Sequence, residues 1–299
     1  MEINYSFIIP HKNCPDLLNR CLDSIPQRED IQIIVVDDNS DEGKKPSVSR
    51  EDVEVILLDA EHSKGAGRAR NVGLERAKGK WLLFADADDY YTDYLPKILD
   101  KYITDDKTDI VYLNANEFDE SGDIHPLAIK RLISKYLNHK YYSEMELRYG
   151  YWTPWSRMIK RHVVEENKLK FDEIPAGNDI IFCLNCSRCS SNISAEIDIV
   201  YLYYRPNKGS VTDRARKGMI EDRLELRGRM INLQKSVGYK LHTTYTGLYV
   251  TFVTKLGMPK LYSYKMCIKY LNKYNMSLVS DIGQYLKLRI VKKICDKIK

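Results

Sequence analysis

Several features that would settle a class at once are missing from this chain. No apolar run among its 299 residues reaches the ~18 positions that cross a bilayer, so no membrane-spanning helix is expected. The opening MEINYSFIIPHKN has no basic start, no long apolar stretch and no small-residue cleavage site. It is read as the start of a cytoplasmic protein rather than a secreted one. The seven cysteines (14, 21, 183, 186, 189, 267 and 295) are odd in number and follow no framework spacing, as expected of reduced thiols. Three of them make CxxCxxC between Cys183 and Cys189, but no further His or Cys follows until His242. A cluster wants a fourth ligand nearby, so buried thiols on an apolar helix are expected instead. Six scattered histidines give no basis for a Ser–His–Asp triad. There is no internal repeat and no low-complexity tract, and 43% hydrophobic with 30% charged residues excludes a disordered chain.

What is present is first an asymmetry of charge. From Val211 to the end, 19 Lys and Arg stand against 6 Asp and Glu, a balance of +13, which leaves −8 on residues 1–210 of a chain whose total is +5. An acidic body argues against nucleic acid as a partner, and an anion bound there needs a cation beside it. The basic tail suits an anionic surface such as the inner leaflet of a membrane, and equally a helical region with a solvated face. Its final stretch, SLVSDIGQYLKLRIVKKICDKIK, places aliphatics at helical spacing with basic residues between them. That pattern fits an interfacial helix, a helix docked on its own domain, or a homodimer contact.

The first half alternates strands and helices. SFIIP (Ser6–Pro10) reads as a strand. A helix from Pro15 to Ile25 follows, with Pro15 suited to a first turn and Leu17, Leu18, Cys21, Leu22 and Ile25 on one face. IQIIVVDD (Ile31–Asp38) is continuously apolar and β-branched, as in a parallel strand covered on both faces. VEVILLD (Val53–Asp59) is a third strand, about Ala66 to Ala77 a helix, and the stretch WLLFADADDYY opens as a fourth strand with Asp86 and Asp88 at its end. This repeat predicts a doubly wound α/β sheet. Ligands of such sheets sit beyond the carboxyl ends of the strands, where Pro10-His11-Lys12-Asn13, Asp37-Asp38 and Asp86-Ala87-Asp88-Asp89 converge. From Asn116 to about Glu146 the pattern weakens into loop and short helices. An apolar helix follows NKLKFDEIPAGND, and EIDIVYLYYRPNKGSVT reads as a strand with a basic turn. From about Arg214 onward the chain reads as helical.

WLLFADADDYY drives a buried strand into three carboxylates. Asp86 and Asp88, two apart, are expected to point the same way, with Asp89 turned aside. Crowded carboxylates raise one another's pKa unless a cation separates them. A divalent cation would turn them into a hard oxygen site with room for phosphate oxygens. An Asp-rich turn is the plain alternative. GAGRAR (Gly65–Arg70) is not a dinucleotide fingerprint, because it follows a late strand and ends on Arg70 rather than Gly.

Taken in order, SFIIPHKN, IIVVDDNSDE and GAGRARNVGLERAKGKWLLFADADD resemble the signatures of family 2 glycosyltransferases of the GT-A fold, of the bacterial surface-polysaccharide type. The resemblance is strong over residues 3 to about 120 and weaker to about 212. It implies inverting transfer of a hexosyl group from a nucleotide-diphosphate sugar, with a UDP-sugar the expected donor and Mn2+ or Mg2+ the cofactor. The acceptor would be a glycan or lipid-linked glycan. It implies Asp88 as metal ligand with Asp86 and Asp89 in support, Asp38 and Asp37 at the base, and Pro10 and Lys12 in the same donor pocket. Arg70 would approach the diphosphate, a role that suits a guanidinium fork.

Asp179 would be the catalytic base at a helix start, where the dipole keeps it ionised, although Asn178 stands where the family usually has Glu. Capping of that helix by Asn178 or Asp179 is the alternative. Trp155 and Arg205 would meet the acceptor. The implied organisation is a donor half over 1–115, an acceptor half over 116–212 and a basic helical region over 213–299, working in the cytoplasm, at the inner face of the plasma membrane if the tail engages lipid. Two rival readings are a sugar nucleotidyltransferase, disfavoured because HKNCPD has no glycine, and a non-catalytic nucleotide-sugar or glycan-binding subunit.

Overall fold

The computed structural model describes residues 2–205, 218–239, 244–254 and 256–298. It divides into two compact units, residues 1–211 and 212–299. The basic turn after Arg205 and the chain around Arg214 lie outside the described residues.

The first unit is α/β. Strand β1 (Tyr5–His11), helix α1 (Pro15–Asp23), β2 (Ile31–Asp37), β3 (Val53–Leu57), α2 (Ala66–Arg76) and β4 (Trp81–Phe84) follow within a residue or two of the sequence expectation. Every residue of β1 and β4 is buried, as are all but one of β2, which is why their sequences run apolar without alternation. Tyr5 lies beside Ile31 on one neighbour and Trp81 on the other, and β1 to β4 are mutually parallel in the order β3-β2-β1-β4.

Then come β5 (Tyr90–Tyr91), α3 (Leu95–Tyr102), β6 (Ile110–Phe118), β7 (Ile124–Pro126), α4 (Ala128–Asn138) and α5 (Lys140–Gly150). After a 3-10 turn at Pro154–Ser156 come β8 (Arg157–Lys160), α6 (Arg161–Glu166), α7 (Ile180–Cys189) and β9 (Ile193–Tyr204). Strand β8 enters antiparallel between β4 and β6, and β9 runs parallel to β6, giving a sheet ordered β3-β2-β1-β4-β8-β6-β9-β5. The segment expected to be loop and short helices instead begins with the end of β6 and holds two eleven-residue helices. Helix α4 shows why: Ile129, Leu132, Ile133 and Tyr136 are buried at helical spacing.

The second unit is helical: α8 (Gly218–Ser236), α9 (Tyr245–Thr254), α10 (Lys260–Lys273) and α11 (Leu278–Ile298). It has its own core, with Leu224, Ile231, Tyr245, Phe252 and Leu271 among its buried members. Buried Asp281 on α11 accepts the backbone N–H of Tyr245 (2.9 Å) and of Thr246 (2.7 Å). This satisfies orphan donors at the start of α9 with a carboxylate that the helix dipole favours. Among the described residues, no helix is long and apolar enough to cross a membrane.

Candidate active site

Strands β1, β2 and β4 end on one edge of the sheet, and the loops beyond them are locked together by polar side chains. His11 is buried. The Cys14 backbone N–H donates to its Nε2 (3.3 Å), so Nδ1 carries the proton and donates to Asp37 Oδ1 (2.7 Å). Ser40 adds its hydroxyl (2.5 Å) to Asp37 Oδ1 and its backbone N–H (2.9 Å) to Oδ2. Burial alone would raise the Asp37 pKa, but the bonds from Ser40 and His11 outweigh it and hold the carboxyl below its ordinary value. Asp38 reaches the other way. Its Oδ1 accepts the Ser63 hydroxyl (2.9 Å) and the Gly65 N–H (3.0 Å), pinning the loop that starts α2. Lys12 Nζ donates to the Asp38 carbonyl (2.9 Å) and to its Oδ2 (3.2 Å), with the lysine side chain 52% exposed. Pro10 is buried inside β1 opposite Val36.

Strand β4 stops at Phe84, so the three acids stand in a turn rather than along a strand. Asp89 is turned aside as expected, and the reason is visible. It is fully buried, with Oδ2 accepting the Tyr201 hydroxyl (2.7 Å) and Oδ1 the Tyr204 N–H (2.7 Å), both from β9. The Tyr201 oxygen also accepts the Asp86 N–H (2.9 Å). Arg20 donates to the Asp88 carbonyl (2.5 Å) while its guanidinium lies over the rings of Tyr90 and Phe118. The backbone of the turn is thereby fixed, and the carboxylates of Asp86 and Asp88 remain for other work. Burial, then the charge of Asp86, pushes the Asp88 carboxyl up to about 6. Asp89 is raised well above the carboxylate range, by burial first and then by Asp86 and Asp88. This turn adjoins the Asp37 cluster: Cys14, whose thiol burial pushes up to about 11, is raised by Asp88, Asp37 and Asp86 together.

Helix α2 joins the turn to the start of α7. Arg70 is buried and donates to Asp86 Oδ1 (2.5 Å) and to Asn178 Oδ1 (2.9 Å), with its guanidinium over the Phe171 ring. Its Nε is buried without a partner. Asn71 holds the Phe171 backbone at both ends, donating from Nδ2 to its carbonyl (3.0 Å) and accepting its N–H (2.8 Å). At Gly67 the approach is so close that a Cβ would meet the Asp172 carbonyl oxygen at 2.0 Å. Three consecutive contacts along α2 therefore set the position of the loop that delivers Asp179. Asp179 stands at the N-cap of α7, yet its side chain makes no capping bond. Burial raises its pKa, against the pull of Arg70. Asn178 is likewise no cap, since its oxygen is taken by Arg70.

The two residues expected at the acceptor lie apart from this chain of contacts. Trp155 is buried and stacks on Tyr201 (5.0 Å between ring centres) and Tyr203 (5.5 Å), so it backs the tyrosine that holds the turn. Arg205, at the end of β9, is exposed and pairs with Glu117 (2.9 Å). The CxxCxxC cysteines lie on α7, and all six described cysteines are free thiols. Among the described residues no group of three or more His, Cys, Asp or Glu gathers to hold a metal ion. A cation at the turn would therefore rest on two carboxylates, supplemented by ligand oxygens and water, a common arrangement for a hard divalent ion. Sequence reasoning missed Arg20, Gly67, Asn71 and Tyr201. Gly67 and Asn71 carried a signal, because positions four apart share a helix face. Arg20 and Tyr201 carried none, being separated from the turn by 68 and 115 residues.

The sequence profile described as "Glycosyl transferase family 2" matches residues 6–167, more than half of the chain and all of the loops beyond β1, β2 and β4. The chain belongs to glycosyl transferase family 2. Among its relatives, the succinoglycan biosynthesis protein ExoO of Rhizobium meliloti is 25% identical over 211 residues, covering 67% of this chain and 60% of ExoO. The UDP-Glc:alpha-D-GlcNAc-diphosphoundecaprenol beta-1,3-glucosyltransferase WfaP of Escherichia coli is 25% identical over 285 residues, 90% of this chain and 98% of WfaP. The chain thus spans about three fifths of ExoO but nearly the whole of WfaP. The crystal structure of S. aureus TarS residues 1–349 with UDP-GlcNAc superposes with a TM-score of 0.60 at 19% identity, over 91% of this chain and 72% of that one. The shared architecture is the GT-A fold, as the sequence motifs implied.

Proposed function

We propose that this family 2 protein transfers a hexosyl group, with inversion, from a UDP-sugar to a hydroxyl of a growing surface glycan borne on a lipid carrier. The observation that carries the reading is the chain Asp86–Arg70–Asn178 ending at Asp179. It sets an uncommitted carboxylate at the start of α7 beside a guanidinium that also touches the acidic turn. In this reading Asp179 takes the proton of the acceptor hydroxyl on a carboxylate oxygen while that hydroxyl oxygen bonds to the anomeric carbon and the bond from that carbon to the diphosphate oxygen breaks. Arg70 presents its planar fork to the departing diphosphate and favours the ionised form of Asp179 against its burial. Its orphaned Nε shows that the present partners do not exhaust it.

The acids of the turn fit a divalent cation. Asp86 is partly exposed and only one of its oxygens is bonded to Arg70, Asp88 takes no side-chain donor among the described residues, and the pair is short of positive charge. Asp88 and Asp86 would hold it. Mn2+ or Mg2+ bound there supplies charge neutralisation for the leaving diphosphate. Asp89, with both oxygens spent on β9, supports the turn. Half-exposed Lys12 and buried Asp38 form the nucleoside end of the pocket, with saturated Asp37 bracing them. Support for the donor and acceptor classes comes from the names of WfaP, which include UDP-Glc and a diphosphoundecaprenol acceptor, and of the TarS complex with UDP-GlcNAc. A lipid-borne acceptor places the work at the cytoplasmic face of a membrane.

The test is a thermal-shift screen of UDP-sugars with and without Mn2+, followed by donor turnover. A ligand that binds the native state raises its melting temperature. Wild type should show a metal-dependent shift that Asp88→Asn loses. Asp179→Asn should keep the shift and lose about 10²- to 10⁴-fold in transfer, the worth of a general base. Wild-type turnover by Asp179→Asn would overturn the assignment of the base. A metal-dependent shift with no turnover or donor hydrolysis would favour a non-catalytic binding subunit.

A further inference from the structure

Among the described residues, one face of α11 meets no partner. Val279 is 81% exposed, Ile282 41%, Leu286 54% and Ile290 59%. At about 100° per residue these four fall within an arc of about 80°. The face is turned outward by design of the unit, because Asp281 on the far side of the helix is buried and anchors α9. Lys287 and Arg289 fall on opposite margins of the stripe, about 100° and about 60° from its centre. Four aliphatics in a line are therefore bordered by cations on both sides, with no exposed carboxylate between Leu278 and Ile290.

We infer that this face of α11 is a docking surface for an anionic lipid bilayer. Charge decides between the occupants. Two copies of the face set against each other would bring cationic margins together, a repulsive arrangement. An anionic headgroup layer meets both margins favourably while the aliphatic stripe enters the acyl boundary. The sequence continues with Lys292, Lys293 and Lys297, and the whole second unit carries the chain's positive excess, so the field around the helix has one sign. The inference goes beyond the transfer reaction proposed above and does not rest on it.

The test is co-sedimentation of the full chain with phosphatidylcholine vesicles and with vesicles of equal parts phosphatidylcholine and phosphatidylglycerol. Binding should favour the anionic vesicles and weaken as salt is added. Lys287→Glu with Arg289→Glu should lower the partition coefficient by at least about thirtyfold, the worth of two surface cations. Leu286→Gln with Ile290→Gln should lower it at least about tenfold, since both side chains would leave the acyl boundary. All four side chains are exposed, so far-UV circular dichroism should remain that of wild type, and donor turnover in solution should be unchanged. Equal binding to neutral vesicles, no binding to either, or variants that sediment like wild type would overturn the inference. So would light scattering that shows a wild-type dimer dissolved by Leu286→Gln with Ile290→Gln, which would make a second copy the occupant. Failure here with intact turnover leaves the transferase reading standing, whereas loss of turnover in Asp179→Asn bears on that reading alone.

Discussion

The tight seat of Gly67 against the loop before α7 can be tested with a single methyl group. In Gly67→Ala the new Cβ falls 2.0 Å from the Asp172 carbonyl oxygen and 3.1 Å from Asn178 Cβ. A comfortable carbon–oxygen contact is about 3.3 Å, so α2 and the loop must separate by roughly 1 Å, and the obstacle is backbone rather than a side-chain tip that can swing away. Overpacking of this kind costs about 1–3 kcal/mol. The same separation stretches the two Asn71 bonds to Phe171, at 3.0 and 2.8 Å, and buried groups left unpaired cost about 1–3 kcal/mol each. With partial loss of both, the total is about 3–5 kcal/mol, which lowers the melting temperature by about 10 °C for a unit of this size. The catalytic effect should exceed what stability explains. Asp179 rides on the displaced loop, and a shift of about 1 Å in a reacting group costs about a hundredfold in rate. Asp86 and Asp88 stand on the turn after β4 and should bind donor nearly as before. Thermal unfolding and single-turnover transfer, measured below the variant's transition, separate the two effects. A variant that melts within about a degree of wild type and transfers at full rate would refute the claim that α2 sets the position of Asp179.

Three further outcomes follow. The Asp88 carboxyl sits at about 6 in the fold against about 3.9 in an unfolded chain. It therefore costs nothing below pH 4, and its penalty on stability grows as pH rises to 6, at about 1.4 kcal/mol per unit. Asp88→Asn should make the metal-free protein more stable at pH 7 by up to about 3 kcal/mol, with the gap closing near pH 4 in urea titrations, and equal stability at pH 7 would count against the burial and crowding that raise this carboxyl. Asp179 must be ionised to act and its pKa is raised, by burial first, while Arg70 opposes the rise. The rate should fall with acid above the ordinary carboxylate range, and Arg70→Gln should move that limb to higher pH, whereas an unmoved limb would uncouple the two residues. Tyr201→Phe deprives buried Asp89 of a donor and the Asp86 N–H of its acceptor. A loss of about 2–4 kcal/mol and weaker metal-dependent donor binding are expected, and unchanged binding would show that the turn holds itself.

Much of this was legible before any coordinates. Continuous apolar runs made β1, β2 and β4 readable, because strands covered on both faces have no polar side to confuse the pattern. Pro15 marked the first turn of α1. The conjunction of loops at one sheet edge followed from the alternation of strands and helices, since parallel strands all end on the same side. The edge that carries the acidic turn was thus readable locally. What escaped was everything that depends on chain segments far apart. Strand β8 is four residues long and pairs antiparallel in the middle of the sheet, which no local period announces. The buried end of Asp89 is decided by Tyr201 and Tyr204, and the freedom of Asp179 by Arg70 capturing Asn178. Trp155 illustrates the same limit from the other side. An exposed sugar platform and a buried brace behind Tyr201 have the same sequence signature, and only the stacking on β9 distinguishes them.

The tyrosine that ties the acidic turn to β9 has a consequence for how the protein comes into being. A ribosome emits Asp86 to Asp89 long before Tyr201 to Tyr204, and domains emerge amino end first. Until that late strand arrives, the four-residue turn has neither the acceptor for its Asp86 amide nor the donors for its Asp89 carboxylate. A nascent chain cut at residue 167, where the family match ends, would carry every acid of the turn and still lack the hands that shape it. The turn should therefore take its final shape only once Tyr201 to Tyr204 have left the ribosome and paired with it.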